Sequence, residues 1–433
     1  MAQLGLYPAP GAGIGRGVDA DLLIRTFLLA AVLLLLWISF RPFDDLSVPP
    51  EVTDTGQAVN QIGYSLLFIV LAAWCVGHEP RRLRLLARPL LVAVLLWLAL
   101  SVVTSWEPAL SARRLAFTLV AMGTAGMVLL LPKNVRHFSE VLAAVVLIVL
   151  AVCYIGVFTN PSFAIHQPTD YAEPELAGDW RGVFGHKNAA GSAMAAFVFI
   201  GLFVARMRSI VIGTVIVGLA FTFLIFTHSK TSIFTLPLAL TVSMVMVRVR
   251  RPIVGIALAL SIVVGMNIFS VGSIYFEPVR NLLNAILTDS SFTGRDEVWQ
   301  FAADHMLARP LTGYGFAAFW GTPGVVYGPS GGESWAHTAS HAHNGYLDLA
   351  LTIGIPGAVL VTLWLVVSPI VDFYRSSHQP TGAALELLFL RISLFAAYAS
   401  AFESMVLEEG TGSLLLFAAA FGLRFLSVSS AKA

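Results

Sequence analysis

Long apolar runs alternate with short polar connections from one end of the chain to the other. A bilayer core about 30 Å thick takes roughly 20 helical residues, and in lipid every backbone amide must bond within its own segment. About twelve runs reach that length: 22–40, 61–77, 89–106, 115–131, 141–158, 189–205, 209–226, 233–247, 253–270, 344–368, 385–404 and 412–426. The pattern predicts an all-α polytopic membrane protein of about 12 transmembrane helices with one large external loop. It divides into a flexible tail at 1–20, nine spans over 21–270 interrupted by a polar loop near 159–188, the long loop 271–343, three spans over 344–427 and a tail at 428–433.

Charge orients these spans. Arg81, Arg82, Arg84 and Arg88, then Lys133 and Arg136, then Arg206 and Arg208, then Arg248, Arg250 and Arg251 occupy alternate connections, which are therefore cytoplasmic. Both termini fall inside. The loops holding Asp44, Asp45, Glu51 and Asp54, residues 159–187 and residues 271–343 then face outward. Arg113 and Arg114 break the alternation, since they fall on the outer side.

Composition narrows the picture further. With 57% hydrophobic and 12% charged residues in a chain of 433, a soluble fold is excluded. A net charge of +1 offers nothing to nucleic acid. Cys75 and Cys153 lie inside apolar runs and read as small buried hydrophobes. The first run is long enough to span and is read as retained. Ionisable residues are scarce in the spans, and no matching pair of interrupted spans occurs, which weighs against a transporter without removing it.

The polar segments carry the candidate chemistry. In 178–188, Arg181, His186 and Lys187 lead into the sixth span, whose outward N-terminus favours an anion, with Asn188 the expected cap. The same segment also reads as a turn with interfacial Trp and Lys anchors. Lys230 sits in a tight connection at the height of a lipid phosphate, where it binds one or simply snorkels. Thr293 and Asp296 are spaced as a weak capping box for a helix running to about Ala308. On that helix Arg295 and Trp299 share a face, where a guanidinium pairs with phosphate or packs on the ring; an ordinary surface arginine is the other reading. Tyr314 lies among turn glycines and aromatics that suit sugar stacking or packing against the membrane face. His341 and His343 meet the N-terminus of the tenth span, with Asn344 as its cap. The positive end of that helix disfavours a second positive charge, so His343 is expected neutral and able to act as a general base. His341 orients or substitutes for it. His-x-His spacing alone also suits a metal, but nearby carboxylates are few and no metal is assigned.

Four segments form an ordered set: Arg-Gly-Val-Phe-Gly-His-Lys-Asn at 181–188, Thr-Gly-Arg-x-x-x-Trp at 293–299, Arg-Pro-x-x-Gly-Tyr-Gly-Phe at 309–316 and His-Ala-His-Asn-Gly-Tyr-Leu at 341–347. Over roughly residues 170–370 the chain resembles the O-antigen ligase and polymerase superfamily, most closely its exopolysaccharide-polymerase branch. The resemblance implies a fold similar to membrane (GT-C-like) glycosyltransferases, in the bacterial inner membrane with the active site facing the periplasm. It implies an undecaprenyl-diphosphate-linked oligosaccharide donor, an acceptor glycan, polysaccharide-assembly proteins as further partners, and no cofactor. By that resemblance His343 and Arg295 take the catalytic roles of acceptor activation and diphosphate stabilisation. Arg181, His186, Lys187, Lys230, Trp299, Tyr314, His341 and Asn344 are the substrate-binding candidates. Where many relatives have Ser-Arg, this chain has Ser229-Lys230, which replaces a bidentate contact by a point charge. The implied reaction is polymerisation of lipid-linked repeat units by metal-independent inverting glycosyl transfer. A ligase delivering glycan to lipid A core or protein is one alternative, and a transporter of lipid-linked sugar is another.

Overall fold

The computed structural model describes residues 20–39, 42–48, 54–249, 251–286, 292, 294–327, 335–337, 339–376, 382–407 and 411–430. The tail at 1–19, Glu51, Arg250, Thr293 of the expected capping box and the last three residues lie outside the described residues.

Each predicted run becomes helix. The first nine are α1 (Ala20–Ile38), α2 (Asp54–His78), α3 (Pro89–Val103), α4 (Pro108–Met127), α5 (Val135–Thr159), α6 (Lys187–Met207), α7 (Ile210–Phe226), α8 (Lys230–Arg248) and α9 (Pro252–Phe269). Prolines open α3, α4 and α9, where the missing N–H is one the helix would leave unpaired anyway. The long loop folds into α10 (Glu277–Ile286) and α11 (Arg295–Ala308). Then come α12 (Gly345–Thr362), continued through a π turn at Leu363–Val367 into α13 (Ser368–Arg375), α14 (Ala383–Ala399) and α15 (Thr411–Ser430). Among the described residues, eight helical segments are long and apolar enough to cross a membrane, and α3, α7 and residues 412–428 are shorter apolar helices.

The bundle is built around α6, which is buried along nearly its whole length. Its Ala- and Gly-rich sequence lets α7 approach closely: a Cβ on Gly213 would collide with the Ala205 backbone. Without a hydrophobic drive between helices in lipid, such small-residue contact supplies the packing. The basic connections gather at one end, where Arg25 pairs with Glu79 at 3.1 Å, Arg88 with Asp372 at 2.8 Å and Arg208 with Glu140 at 3.1 Å. The polar loops occupy the other end, so the alternation of charge predicts the alternation of helices.

Two spans depart from their predicted form. The tenth is not continuous: Gly354 adopts φ 73°, ψ 164°, a region open essentially to glycine. The carbonyls freed at this break are taken by other segments. Tyr314 N donates to Leu351 O at 3.1 Å, Gly315 N to Thr352 O at 2.8 Å and Trp97 Nε1 to Ile353 O at 2.9 Å. Ile355 N in turn donates to Pro310 O at 2.8 Å. Residues 310–315 thus lie in the broken helix, and irregular backbone is tolerated because protein surrounds it. The eleventh span, expected to reach residue 404, ends as helix at Ala399, and 400–407 form a non-helical segment at the loop-bearing end.

Candidate functional site

Three distant chain segments meet on the Glu403 carboxylate in that segment. Arg295 is the first helical residue of α11, because Gly294 turns the chain with φ 80° just before it. Its Nη2 reaches Glu403 Oε1 at 2.9 Å, and its Nη1 donates to the Phe402 carbonyl. Asn188, in the first turn of α6, donates Nδ2 to the same Oε1 at 2.9 Å. His343 brings Nδ1 to 3.7 Å from Oε2. Both ends of the Arg295–Glu403 pair are largely buried, at 17% and 13% side-chain exposure. Burial alone would raise the carboxyl, but the Arg295 guanidinium and the His343 ring outweigh it and hold Glu403 well below the usual carboxylate range.

The His343 backbone is positioned in equal detail. Asp348, in the first turn of α12, accepts from Trp320 Nε1 at 2.8 Å, from Ala342 N at 3.0 Å and from Ser404 Oγ. His341 Nδ1 accepts the His343 N–H at 3.2 Å, and the two rings lie 4.1 Å apart in edge contact. Residue 343 is thereby held at φ 51°, the left-handed region that a non-glycine adopts when its surroundings over-determine it. Asn344 closes the motif as the cap of α12, accepting from Tyr346 N and Leu347 N at 3.1 and 2.9 Å. Burial, and then the neighbouring His343, push the His341 imidazole down to about 3. His343 Nδ1 is buried and has no hydrogen-bond partner among the described residues, while the side chain is 22% exposed. The accessible part of the ring is therefore not the part facing Glu403.

The loop near 159–188 contributes a second set of polar contacts. The cap of α6 is His186, whose Nδ1 accepts from Asn188 N at 3.1 Å; Asn188, the expected cap, instead spends its side chain on Glu403. His186 Nε2 lies 3.0 Å from Glu173. That contact holds Glu173 below its ordinary range in spite of burial. His166 accepts Lys187 N through Nε2 at 3.2 Å and donates Nδ1–H to Asp170 at 2.8 Å, a fully satisfied structural pair. Trp180 stacks on Phe226 with ring centroids 4.4 Å apart and anchors the loop to α7.

Several expected substrate contacts have other geometry. Arg181 is 1% exposed and donates to Phe184 O at 3.2 Å and Asp44 O at 2.6 Å, so it braces the loop instead of presenting an open charge. Lys187 Nζ is paired with Asp179 at 2.5 Å. Lys230 is exposed at the start of α8 and makes no ion pair among the described residues. Trp299 is fully buried against Phe292, and no guanidinium packs on its ring among the described residues. Tyr314 is 6% exposed, wedged between Trp106 and Phe319 with the Arg309 guanidinium over its ring at 4.9 Å, which is packing of the loop onto the membrane end. The Asn344 side chain is wholly engaged, donating to Asn267 Oδ1 and Ala401 O at 2.9 Å each. Burial decides Arg181, Trp299, Tyr314 and Asn344, an ion pair decides Lys187, and Lys230 stays exposed as expected; burial is a property of the tertiary structure that local sequence does not carry.

Glu403 itself was missed by sequence reasoning because it falls at the end of an apolar run. The signal was present: an ionisable residue at the margin of a span is unfavourable without a partner and so marks a site.

Comparison with known proteins bears on the same region. Residues 215–362 match the O-antigen ligase family. The exopolysaccharide production protein ExoQ of Rhizobium meliloti is 29% identical over 199 residues, 43% of this chain and 45% of that protein. A Rickettsia conorii protein named as a polysaccharide ligase is 29% identical over 121 residues, and a likewise named protein of Rickettsia felis is 31% identical over 122 residues. These last two matches each cover 27% of this chain and 29% of the relative, so the chain spans less than half the length of all three. The resemblance to the O-antigen ligase and polymerase superfamily is thus borne out, and it is carried by the segment that holds Arg295 and His343.

Proposed function

We propose that the chain is a glycosyltransferase of the bacterial inner membrane that polymerises undecaprenyl-diphosphate-linked oligosaccharide units on the periplasmic side. The observation that supports this most strongly is the convergence of Asn188, Arg295 and His343 on Glu403, four groups far apart in sequence joined at the end of the bundle that bears the polar loops.

In the proposed reaction an acceptor sugar hydroxyl attacks the anomeric carbon of the lipid-linked unit. The new C–O bond forms as the bond to the diphosphate breaks, its electron pair leaves with the diphosphate, and inversion results. The hydroxyl proton passes to His343. Glu403, facing the other side of that ring, orients it and stabilises the imidazolium that forms, the logic of a carboxylate behind a histidine base. Arg295 uses Nη1 and Nη2 contacts to hold its place, and its remaining N–H groups are available to the leaving diphosphate. Diphosphate leaves without much protonation, so positioning and proton removal supply most of the rate.

A ligase would use the same donor and the same base, and the two Rickettsia relatives carry that name. The acceptor separates the readings. Cells whose variant enzyme accumulates single repeat units point to a polymerase, whereas unattached long polymer points to a ligase. His343→Ala is expected to abolish product while the protein still accumulates in the membrane, and near-normal product would remove the base assignment.

A further inference from the structure

The first helix of the long loop meets little protein. α10 packs against α9, and Leu283 is its one buried side chain among the described residues. Its residues nonetheless sort into stripes. Val279, Leu282 and Ile286 stand at i, i+3 and i+7 on one side, and Glu277, Arg280, Asn281 and Asn284 stand on the opposite side. Leu282 is 47% exposed and Ile286 68%. Leu283 falls between the stripes, and with Arg280 it walls a cavity of about 620 Å³ that α11 lines with Glu297, Gln300 and Asp304. α10 therefore has protein along one flank, an uncovered apolar edge on one side of that flank and a polar edge on the other. A helix lying flat on a bilayer beside its own protein has this arrangement, since lipid, protein and water meet three different sides.

The level of α10 follows from α9. Val264, Ile268 and Phe269 are exposed along the last turns of that span, as lipid-facing side chains are. Its final turn also lies at the height of the candidate site, because Asn344, next to His343, donates to Asn267 Oδ1 at 2.9 Å and Ser270 Oγ at 3.3 Å. Beyond Ser270 the chain makes one helical turn at Gly272–Tyr275, and Tyr275 and Phe276 are again exposed. Exposed apolar surface thus continues from the end of α9, through Tyr275 and Phe276, to Leu282 and Ile286. The polar edge carries one acid and one base, Glu277 and Arg280, and so gives the helix no preference for charged head groups.

We propose that α10 is an interfacial anchor, with its Leu282–Ile286 edge inserted among the lipids at this end of the bundle and its Glu277–Asn284 edge in water. The partner is the bilayer surface itself, continuous with the lipid around α9, and apolar burial drives the insertion instead of head-group charge. α11 begins nine residues after α10, so the anchor limits how far its first residue, Arg295, moves from the membrane surface. The inference stands on the membrane fold and does not need the glycosyltransferase reading.

The test is spin-label EPR on the full chain in phosphatidylcholine vesicles, with a label carried by Leu282→Cys, Ile286→Cys, Asn281→Cys or Asn284→Cys in turn. The native Cys75 and Cys153 are fully buried and out of the label's reach. Relative to a water-soluble nickel chelate, oxygen, which partitions into lipid, is expected to reach labels at 282 and 286 about tenfold more often than labels at 281 and 284. Adding phosphatidylglycerol is expected to leave that ratio unchanged. Equal nickel access on both edges would place the helix in water and overturn the proposal. So would exclusion of both probes from 282 and 286, the sign of another segment or a second copy of the chain covering that edge. Insertion seen only with phosphatidylglycerol would overturn the apolar anchor in favour of adsorption by charge. Each edge is read at two positions, so one poorly folded variant leaves the comparison intact.

Discussion

Glu403 illustrates how a buried charge constrains the residues around it. Removing either partner of such a pair leaves an uncompensated ion, at a cost on the order of 3–5 kcal/mol, and an amide in place of the acid keeps the shape of the site but still leaves the Arg295 charge without its counter-ion. Arg295→Ala is therefore expected to reduce both the amount of folded protein and its activity. Glu403→Gln is expected to accumulate at a reduced level, with product formation per folded protein falling by a further factor on the order of 100, read from polymer yield per folded membrane protein. Full activity in Glu403→Gln would make the carboxylate a packing device only.

The same site sets an acid limit on stability. The folded chain holds His341 neutral down to about 3, while an unfolded chain takes up that proton below about 6.5. The unfolded state then binds more protons, so stability falls as pH drops from 6.5 towards 3. Glu403, depressed in the folded state, contributes stability that is present above its ordinary value of 4.5 and lost only below it. Between pH 6.5 and 4.5 His341 acts together with His166 and His137, which burial also lowers. The melting temperature in detergent is expected to fall over that window, and to fall less in His341→Gln; an equal fall in both would refute the buried neutral ring. His343 and Arg295 were readable from sequence because a paired-histidine helix start and a helix-opening arginine are local patterns. The buried states of Arg181, Trp299 and Tyr314 depend on distant segments and were not.

At the scale of elements, apolar length placed every predicted run on a helix, with the starts of α2, α4 and α5 displaced by several residues from the predicted runs. Periodicity did not reveal the break in α12, because Gly354 and Pro356 sit inside a run whose hydrophobicity is continuous. The break requires partners from residues 310–315, and these come from another part of the chain. A side chain at Gly354 would strike the Leu311 carbonyl and force a backbone conformation reserved for glycine. Gly354→Ala is expected to lower stability by about 2 kcal/mol or more, seen as a lower melting temperature. Gly218→Ala, in helix α7 with open space around it, is expected to be neutral or mildly stabilising. A silent Gly354→Ala would mean that the inserted segment does not hold the helix open.

Across the whole molecule, the two ends of the bundle have different work. One end ties its basic connections to Asp21, Glu79, Glu140 and Asp372. The other gathers imidazoles, carboxylates and Arg295 where the polar loops fold over the spans. The most direct measurement is lengthening of a synthetic undecaprenyl-diphosphate-linked repeat unit by the purified protein in detergent, where no second compartment exists. Successive repeat-unit additions by the unaltered chain, absent in His343→Ala and strongly reduced in Glu403→Gln, are the predicted result; a unit that stays its original length with folded, lipid-binding protein, or equal lengthening by His343→Ala, would contradict it.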